Sequence, residues 1–260
     1  MTTSAAEQSI SPQSPEPFTP FQALLGVIAR PRSTFVRMRD AERGHWWVVF
    51  ALGLIALVLN TVAMVPIQAE ISQAAIAAQQ GQFEDLSPEQ QAQIEQTQAV
   101  VSSTAVLGAI GTVTGILGLL IGYAVRAGLL YLFGLVLGGQ VSFKQIWRMA
   151  VWTALPISLG TFVTAIAIIA TGQLPASGLT YILTSAEMAN ASPFLTAILG
   201  RIDLYTVWSL VLIAMGMVAT ARLSRVKAGL IAGVYWLLGA GLTLASTALG
   251  TALSSTFGGG

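Results

Sequence analysis

The 260 residues contain one histidine, His45, and no cysteine. Disulfides, thiolate metal sites, iron–sulfur clusters, cysteine nucleophiles and multi-histidine metal sites are therefore excluded together. Serines and threonines are plentiful, but without a base beside them they read as hydrogen-bonding groups between helices, not nucleophiles. The glycine-rich stretch lacks the lysine and the strand context of a phosphate loop. What stands out is a charge in apolar surroundings: Arg126 is the one charged residue within the run 100–138. No carboxylate lies deep in any apolar run, so the acidic relay used by many transporters is missing. Asp203 precedes an apolar run and suits a helix N-terminus; pairing with Arg126 is the competing reading. His45, next to Trp46, reads as an interfacial anchor. The expectation is a non-enzyme with no catalytic residue, no metal and no cofactor.

The elements that must position Arg126 follow from composition. Hydrophobic residues make up 54% of the chain and charged residues 9%, against about 25% charged in a soluble domain. The fold class expected is an all-α, polytopic integral membrane protein. Uncharged apolar stretches long enough to cross a bilayer place five transmembrane helices at about 46–68, 107–138, 146–170, 202–221 and 228–253. With the N-terminus in the cytoplasm, the inside segments hold Arg30, Arg32, Arg37, Arg39, Arg43, Lys144, Arg148, Arg222, Arg225 and Lys227, ten of the twelve basic residues. Only Arg201 lies outside. Splitting 100–138 into two spans would move Lys144, Arg148, Arg222, Arg225 and Lys227 outside, against the positive-inside rule. The C-terminus, 254–260, is then an outside tail.

Between these spans, residues 1–20 are rich in Pro, Ser and Gln and read as a disordered cytoplasmic tail. Residues 21–45 form an amphipathic juxtamembrane segment. Thr19-Pro20 opens a helix that Pro31 closes; a second follows, with Phe35 and Met38 on one side and Arg32, Arg37 and Arg39 around the other. The segment meets the bilayer at Trp46 and Trp47. Contact with anionic lipid is the expectation, with a partner protein the alternative; Asp40 and Glu42 dilute the charge too far for nucleic acid. Residues 67–106 read as an outside helical hairpin. Its first arm extends past Pro66 to about Gln80, and its second starts at Ser87-Pro88-Glu89-Gln90 and runs continuously into the second span.

Gly108, Gly111, Gly115, Gly118 and Gly122 step by three or four residues. They are expected on one face with Arg126 as its continuation, turning that arginine toward the bundle. Such small-residue faces serve packing within the chain first and a homo-oligomer second.

Three segments together resemble the bacterial branch of the Yip1 domain family. They are GVIARPRSTFVRMRD ahead of the first span, VSFKQIWRMAVWTALP with Phe143, Lys144, Arg148 and Pro156, and DLYTVWSLVLIAMGMVATARLSRVKA with Asp203, Trp208, Gly216 and Lys227. The resemblance covers roughly residues 21–250 and implies five membrane helices with a cytoplasmic N-terminus. Eukaryotic members work in vesicle trafficking and bind small GTPases; some bacterial members accompany ABC-type exporters. The long acidic outside hairpin departs from the eukaryotic pattern and argues against a GTPase partner. The function expected is that of a non-enzymatic scaffold or accessory protein with a membrane-protein partner, assisting an exporter or membrane organisation. The rival is a small-solute transporter or channel with its site near Arg126, where Pro156 could break the third span and expose backbone groups.

Overall fold

The computed structural model describes residues 18–41, 44–79, 87–101 and 103–257. The proposed tail up to residue 17, the turn at 80–86 and the last three residues lie outside the described residues. Two short helices, α1 (Pro20–Ala29) and α2 (Pro31–Asp40), precede the bundle. Thr19 opens α1 with a capping box: its hydroxyl accepts from the Gln22 N–H, and the Gln22 side chain accepts from the Thr19 N–H. Pro31 ends α1 because it has no N–H to continue the ladder and instead starts α2 at the one position where that loss is harmless.

The long elements are α3 (Trp47–Gln79), α4 (Pro88–Val101), α5 (Thr104–Val136), α6 (Phe143–Trp152), α7 (Leu155–Thr171), α8 (Ser185–Asn190), α9 (Pro193–Gly200), α10 (Leu204–Thr220) and α11 (Arg225–Phe257). No strand occurs among the described residues. Four stretches are long and apolar enough to cross a membrane: α3, α5, α6 with α7, and α11. The fifth candidate is α9 with α10, bent by 57°.

α3 runs through Pro66 to Gln79. Other boundaries differ from the sequence expectation. The second arm is not continuous with the second span: α4 ends at Val101, and Ser103 caps α5 separately, its hydroxyl accepting from the Val106 N–H. A serine pair competes for backbone partners and so favours a cap over a helix interior. The third span is broken between Trp152 and Leu155, because Pro156 cannot donate to the carbonyl four residues back. The last helix continues to Phe257, beyond residue 253 where the fifth span was expected to end.

α3 packs on α5 and α7; α10 packs on α11, α7 and α2; α2 also touches α6. The largest buried side chains include Trp152, Phe35, Leu130, Ile146, Met149, Leu212 and Met217. They lie toward the end of the bundle that carries α2. At that same end are the starts of α3, α6 and α11 and the ends of α5 and α10. Long-range bonds tie these together: Lys227 Nζ to the Leu137 carbonyl, Arg39 to the Ala219 carbonyl, and Arg148 to the Ala41 carbonyl. The described basic residues of the segregated set are thus gathered at one end of the molecule.

Candidate functional site

At the centre of the bundle is Arg126, 7% exposed. It lies ten residues before the end of α5, about 15 Å of helix. Its Nη2 donates to the Thr153 carbonyl at 3.0 Å and to Ser209 Oγ at 2.5 Å. Ser209 in turn donates to the same carbonyl at 2.8 Å. The guanidinium carbon stands 5.4 Å from the centre of the Tyr235 ring on α11, within range of a cation–π attraction. One side chain thereby joins α5, the α6–α7 break, α10 and α11. Among the described residues, Arg126 Nε has no hydrogen-bond partner.

Thr153 lies in the break made by Pro156. The carbonyl that Pro156 itself deprives of a donor is that of Trp152, four residues back. Thr153 caps the end of α6, where a carbonyl also lacks an intrahelical donor, and this one takes two side-chain donors.

The structure does not bring Asp203 to Arg126. Asp203 caps α10: its Oδ1 accepts from the N–H groups of Tyr205 and Thr206, and its Oδ2 from the Thr206 hydroxyl.

The glycine stripe divides. A Cβ on Gly108, Gly111 or Gly115 would meet Val65, Thr61 or Leu57 of α3, whereas one on Gly118 or Gly122 would meet nothing within 4 Å. The expectation of a single packing face is corrected. Alternate steps of three and four drift only about 20° per heptad, so the glycines keep one helix face. It is α3 that leaves that face beyond Gly115, its contact passing to Leu119 and Tyr123, which a Cβ on Gly53 would meet. Gly229 and Gly233 also face open space.

At the basic end, α2 sits on the protein with Phe35 and Met38 buried. Gly216 makes room for this. A Cβ there would stand 2.6 Å from Met149 and 3.7 Å from Phe35. Two of the arginines expected to meet lipid are engaged elsewhere. Arg37 stands over the Phe18 ring at 4.9 Å, and Arg39 pairs with Asp40 at 2.7 Å while donating to the Ala219 carbonyl at 3.2 Å. Arg32 is exposed.

α1 has the opposite character. It turns its small residues Ala23 and Val27 inward and leaves Phe21, Leu25 and Ile28 exposed, Phe21 by 67%. Trp47 is exposed near it, and Trp46 stacks edge-on against Trp147 at 5.9 Å. Such an aromatic and apolar fringe suits the headgroup boundary.

Sequence reasoning missed what joins α2 to α3. Arg148 and Trp152, one turn apart on α6, hold the linker from below. Arg148 Nη1 donates to the Ala41 carbonyl at 2.7 Å, and Trp152 Nε1 donates to the Gly44 carbonyl at 2.8 Å. Their spacing of four was the available signal. His45 Nε2 is 2.6 Å from the Phe18 carbonyl. Arg201, which the sequence shows only as a base between apolar runs, donates from Nη1 to Thr243 of α11 at 2.7 Å. A Cβ on Gly239 would lie 2.5 Å from that guanidinium.

The opposite end holds a cavity of about 440 Å³, lined among others by Asn60, Thr161, Thr164, Ser177, Asp203 and Thr206. Neither the Asn60 amide nor the Thr164 hydroxyl bonds to any described residue. Asn60 gave no sequence signal, since a lone amide in an apolar run does not reveal what it faces. Arg126 is not among the lining residues. Among the described residues, no group of histidines and carboxylates could hold a metal ion.

Compared with known proteins, residues 25–246 match the model of the Yip1 domain. Membrane protein YknW of Bacillus subtilis (strain 168) is 26% identical over 218 residues, covering 82% of this chain and 84% of that protein. No solved structure gives a significant match.

Proposed function

The chain belongs to the Yip1 domain family, and from that premise we propose that it is a non-enzymatic scaffold or accessory protein of the bacterial cytoplasmic membrane. Its N-terminus, α1 and α2 would lie in the cytoplasm and its C-terminus outside. The partner would be another membrane protein, an exporter in the first instance. The observation that carries this reading is the platform at the basic end. α2 is locked onto α10 and α6, while α1 holds three large apolar side chains away from the protein. Spanning the bilayer requires neither helix. The interior supports the same reading: Nη2 of the buried arginine is held by a carbonyl and a hydroxyl, and its guanidinium faces a ring. Segregation of basic residues to that end supports the orientation through the positive-inside rule.

The test is purification in mild detergent with mass spectrometry of co-purifying proteins, alongside reconstitution into liposomes. A scaffold retains a specific partner that Phe21→Ser/Leu25→Ser loses, and shows no solute flux by itself.

A second reading, a small-solute transporter or channel, is favoured by the cavity lined by Asn60, Thr164 and Asp203. Unpaired amide and hydroxyl groups at membrane depth are costly and would be satisfied by a polar solute. Its site would be this cavity, with Arg126 outside it. Saturable flux by the purified protein alone, lost in Asn60→Leu, would establish that reading over the first.

A further inference from the structure

At the basic end, on the side where α2 leans on α10, a groove of about 320 Å³ is lined by Arg32, Ala214, Met215, Val218 and Arg225. We propose that it binds one anionic phospholipid. The phosphate would lie between the guanidiniums of Arg32 and Arg225, and one acyl chain would run along Val218, Met215 and Ala214.

Three observations carry this. First, the charges at this end are used differently. Arg37, Arg39, Arg148 and Lys227 are each taken up by a ring, a carboxylate or a backbone carbonyl. Arg32 and Arg225 are both exposed, and neither guanidinium makes a hydrogen bond or ion pair with any described residue. They come from separate helices, α2 and α11, yet open on the same groove. Two cations brought together with no anion in the protein repel each other, and a phosphate offers both of them acceptor oxygens.

Second, the groove has the layered chemistry of a lipid. Val218 lies two residues before the end of α10, and Ala214 is one turn deeper. The apolar strip therefore descends from the boundary toward the hydrocarbon while the charges stay at its mouth. A free inorganic anion would have no use for that strip, and a neutral lipid would have no use for a pair of arginines. Basic pockets between membrane helices are a recurrent form of headgroup recognition.

Third, the walls are held. α2 cannot drift from α10 while Phe35 and Met38 are buried and Arg39 bonds to the Ala219 carbonyl. The start of α11 is tied to the end of α5 by Lys227 and Leu137 at 2.8 Å. The two arginines are therefore carried on fixed supports.

The inference does not depend on the accessory role, since a transporter could carry the same lipid. It is tested on the full chain in a neutral detergent. Dioleoylphosphatidylglycerol, dioleoylphosphatidylcholine and inorganic phosphate are titrated in turn, with native mass spectrometry counting retained lipid and thermal unfolding reading its effect. The expected result is one tightly retained phosphatidylglycerol and a saturable rise in Tm that neither of the other probes gives. Arg32→Gln/Arg225→Gln should weaken retention by about tenfold or more, with Tm in the absence of lipid unchanged. Arg30→Gln, at an exposed arginine that does not line the groove, should retain lipid as wild type does. Ala214→Phe, which fills the strip without touching charge, should also release the lipid. Equal retention of phosphatidylcholine, equal protection by inorganic phosphate, or full retention by the double variant would overturn the assignment. So would a photoreactive group at Met215 that crosslinks to a polypeptide in membranes instead of to lipid.

Discussion

Arg126 donates to the carbonyl of Thr153 at 3.0 Å, across a separation of 27 residues, at the point where the third membrane stretch is broken. The two features are complementary. The end of α6 leaves the Thr153 carbonyl in need of donors, and Arg126 carries donors that need acceptors at that depth. Each would be costly alone. Ser209 completes the triangle from α10, so the cluster also fixes how three helices meet.

Loss of the guanidinium should therefore weaken the bundle. Arg126→Leu leaves the Thr153 carbonyl with Ser209 as its remaining side-chain donor and should cost about 1–3 kcal/mol, read as a lower Tm in detergent. Ser209→Ala should cost less, because Arg126 still reaches the carbonyl. If Arg126→Leu matches wild-type Tm while abolishing solute flux, the arginine serves transport and the structural role is wrong.

The same logic of close approach separates the glycines. Gly160 faces the Tyr205 ring, where a Cβ would lie 2.7 Å from a ring carbon that cannot swing away as an aliphatic tip can. Gly118 faces nothing within 4 Å. Gly160→Ala should destabilise by about 1–3 kcal/mol, whereas Gly118→Ala should be neutral or slightly stabilising in the detergent-solubilised monomer. Equal effects at the two positions would mean that α7 and α10 are not packed as described.

These contrasts mark how far the sequence could be read. The membrane helices were legible because an uncharged run of that length has few alternatives. Helix starts were legible where Thr19 and Gln22, or Ser142 and Gln145, form reciprocal caps. The inward turn of Arg126 was legible from the cost of a charge facing lipid. Its partners were not, because Thr153 contributes only a backbone carbonyl, and every residue has one. The division of the glycine stripe was hidden for a related reason: spacing shows which residues share a helix face but not where the neighbouring helix crosses off that face. Asn60 and Thr164 line one cavity from two helices, and neither carries a local pattern that announces the other.

At the basic end, Asp40 is paired with Arg39, and the hydrogen bond from that guanidinium, joined by its charge, holds the carboxyl below the usual carboxylate range. A depressed folded value means that the interaction is present above the ordinary aspartate pKa and is lost as pH falls through the lower, folded one. A carboxyl-resolved NMR titration should therefore give Asp40 a midpoint below about 3.9, returning toward that value in Arg39→Gln. An unshifted wild-type midpoint would show that the pair is not formed in solution.

Orientation is tested by chemistry from one side. Gln173 follows α7 at the end opposite α2, and Ser224 sits between α10 and α11 at the basic end; both are exposed. A cysteine at Gln173 should react with an impermeant thiol reagent added to intact spheroplasts, and one at Ser224 only after lysis. The reverse pattern would place α1 and α2 outside and remove the cytoplasmic platform from the proposed function.

The last prediction concerns the two-part return arm. α4 is started by Ser87, whose N–H donates to the Gln90 side chain at 3.1 Å. α5 is started separately by Ser103, which also donates from its own hydroxyl to the Val100 carbonyl at 2.7 Å. Two independent starts mean two independent units of helix. α4 is polar on most of its surface and touches α5 only lightly, so its amides should exchange faster than those of α5 yet slower than an unstructured chain. Ile94→Pro should abolish protection within α4 while leaving α5 untouched from Leu107 onward. If the substitution also unprotects the first turns of α5, the two segments behave as one continuous helix, and Ser103 is a bend within it, not a cap.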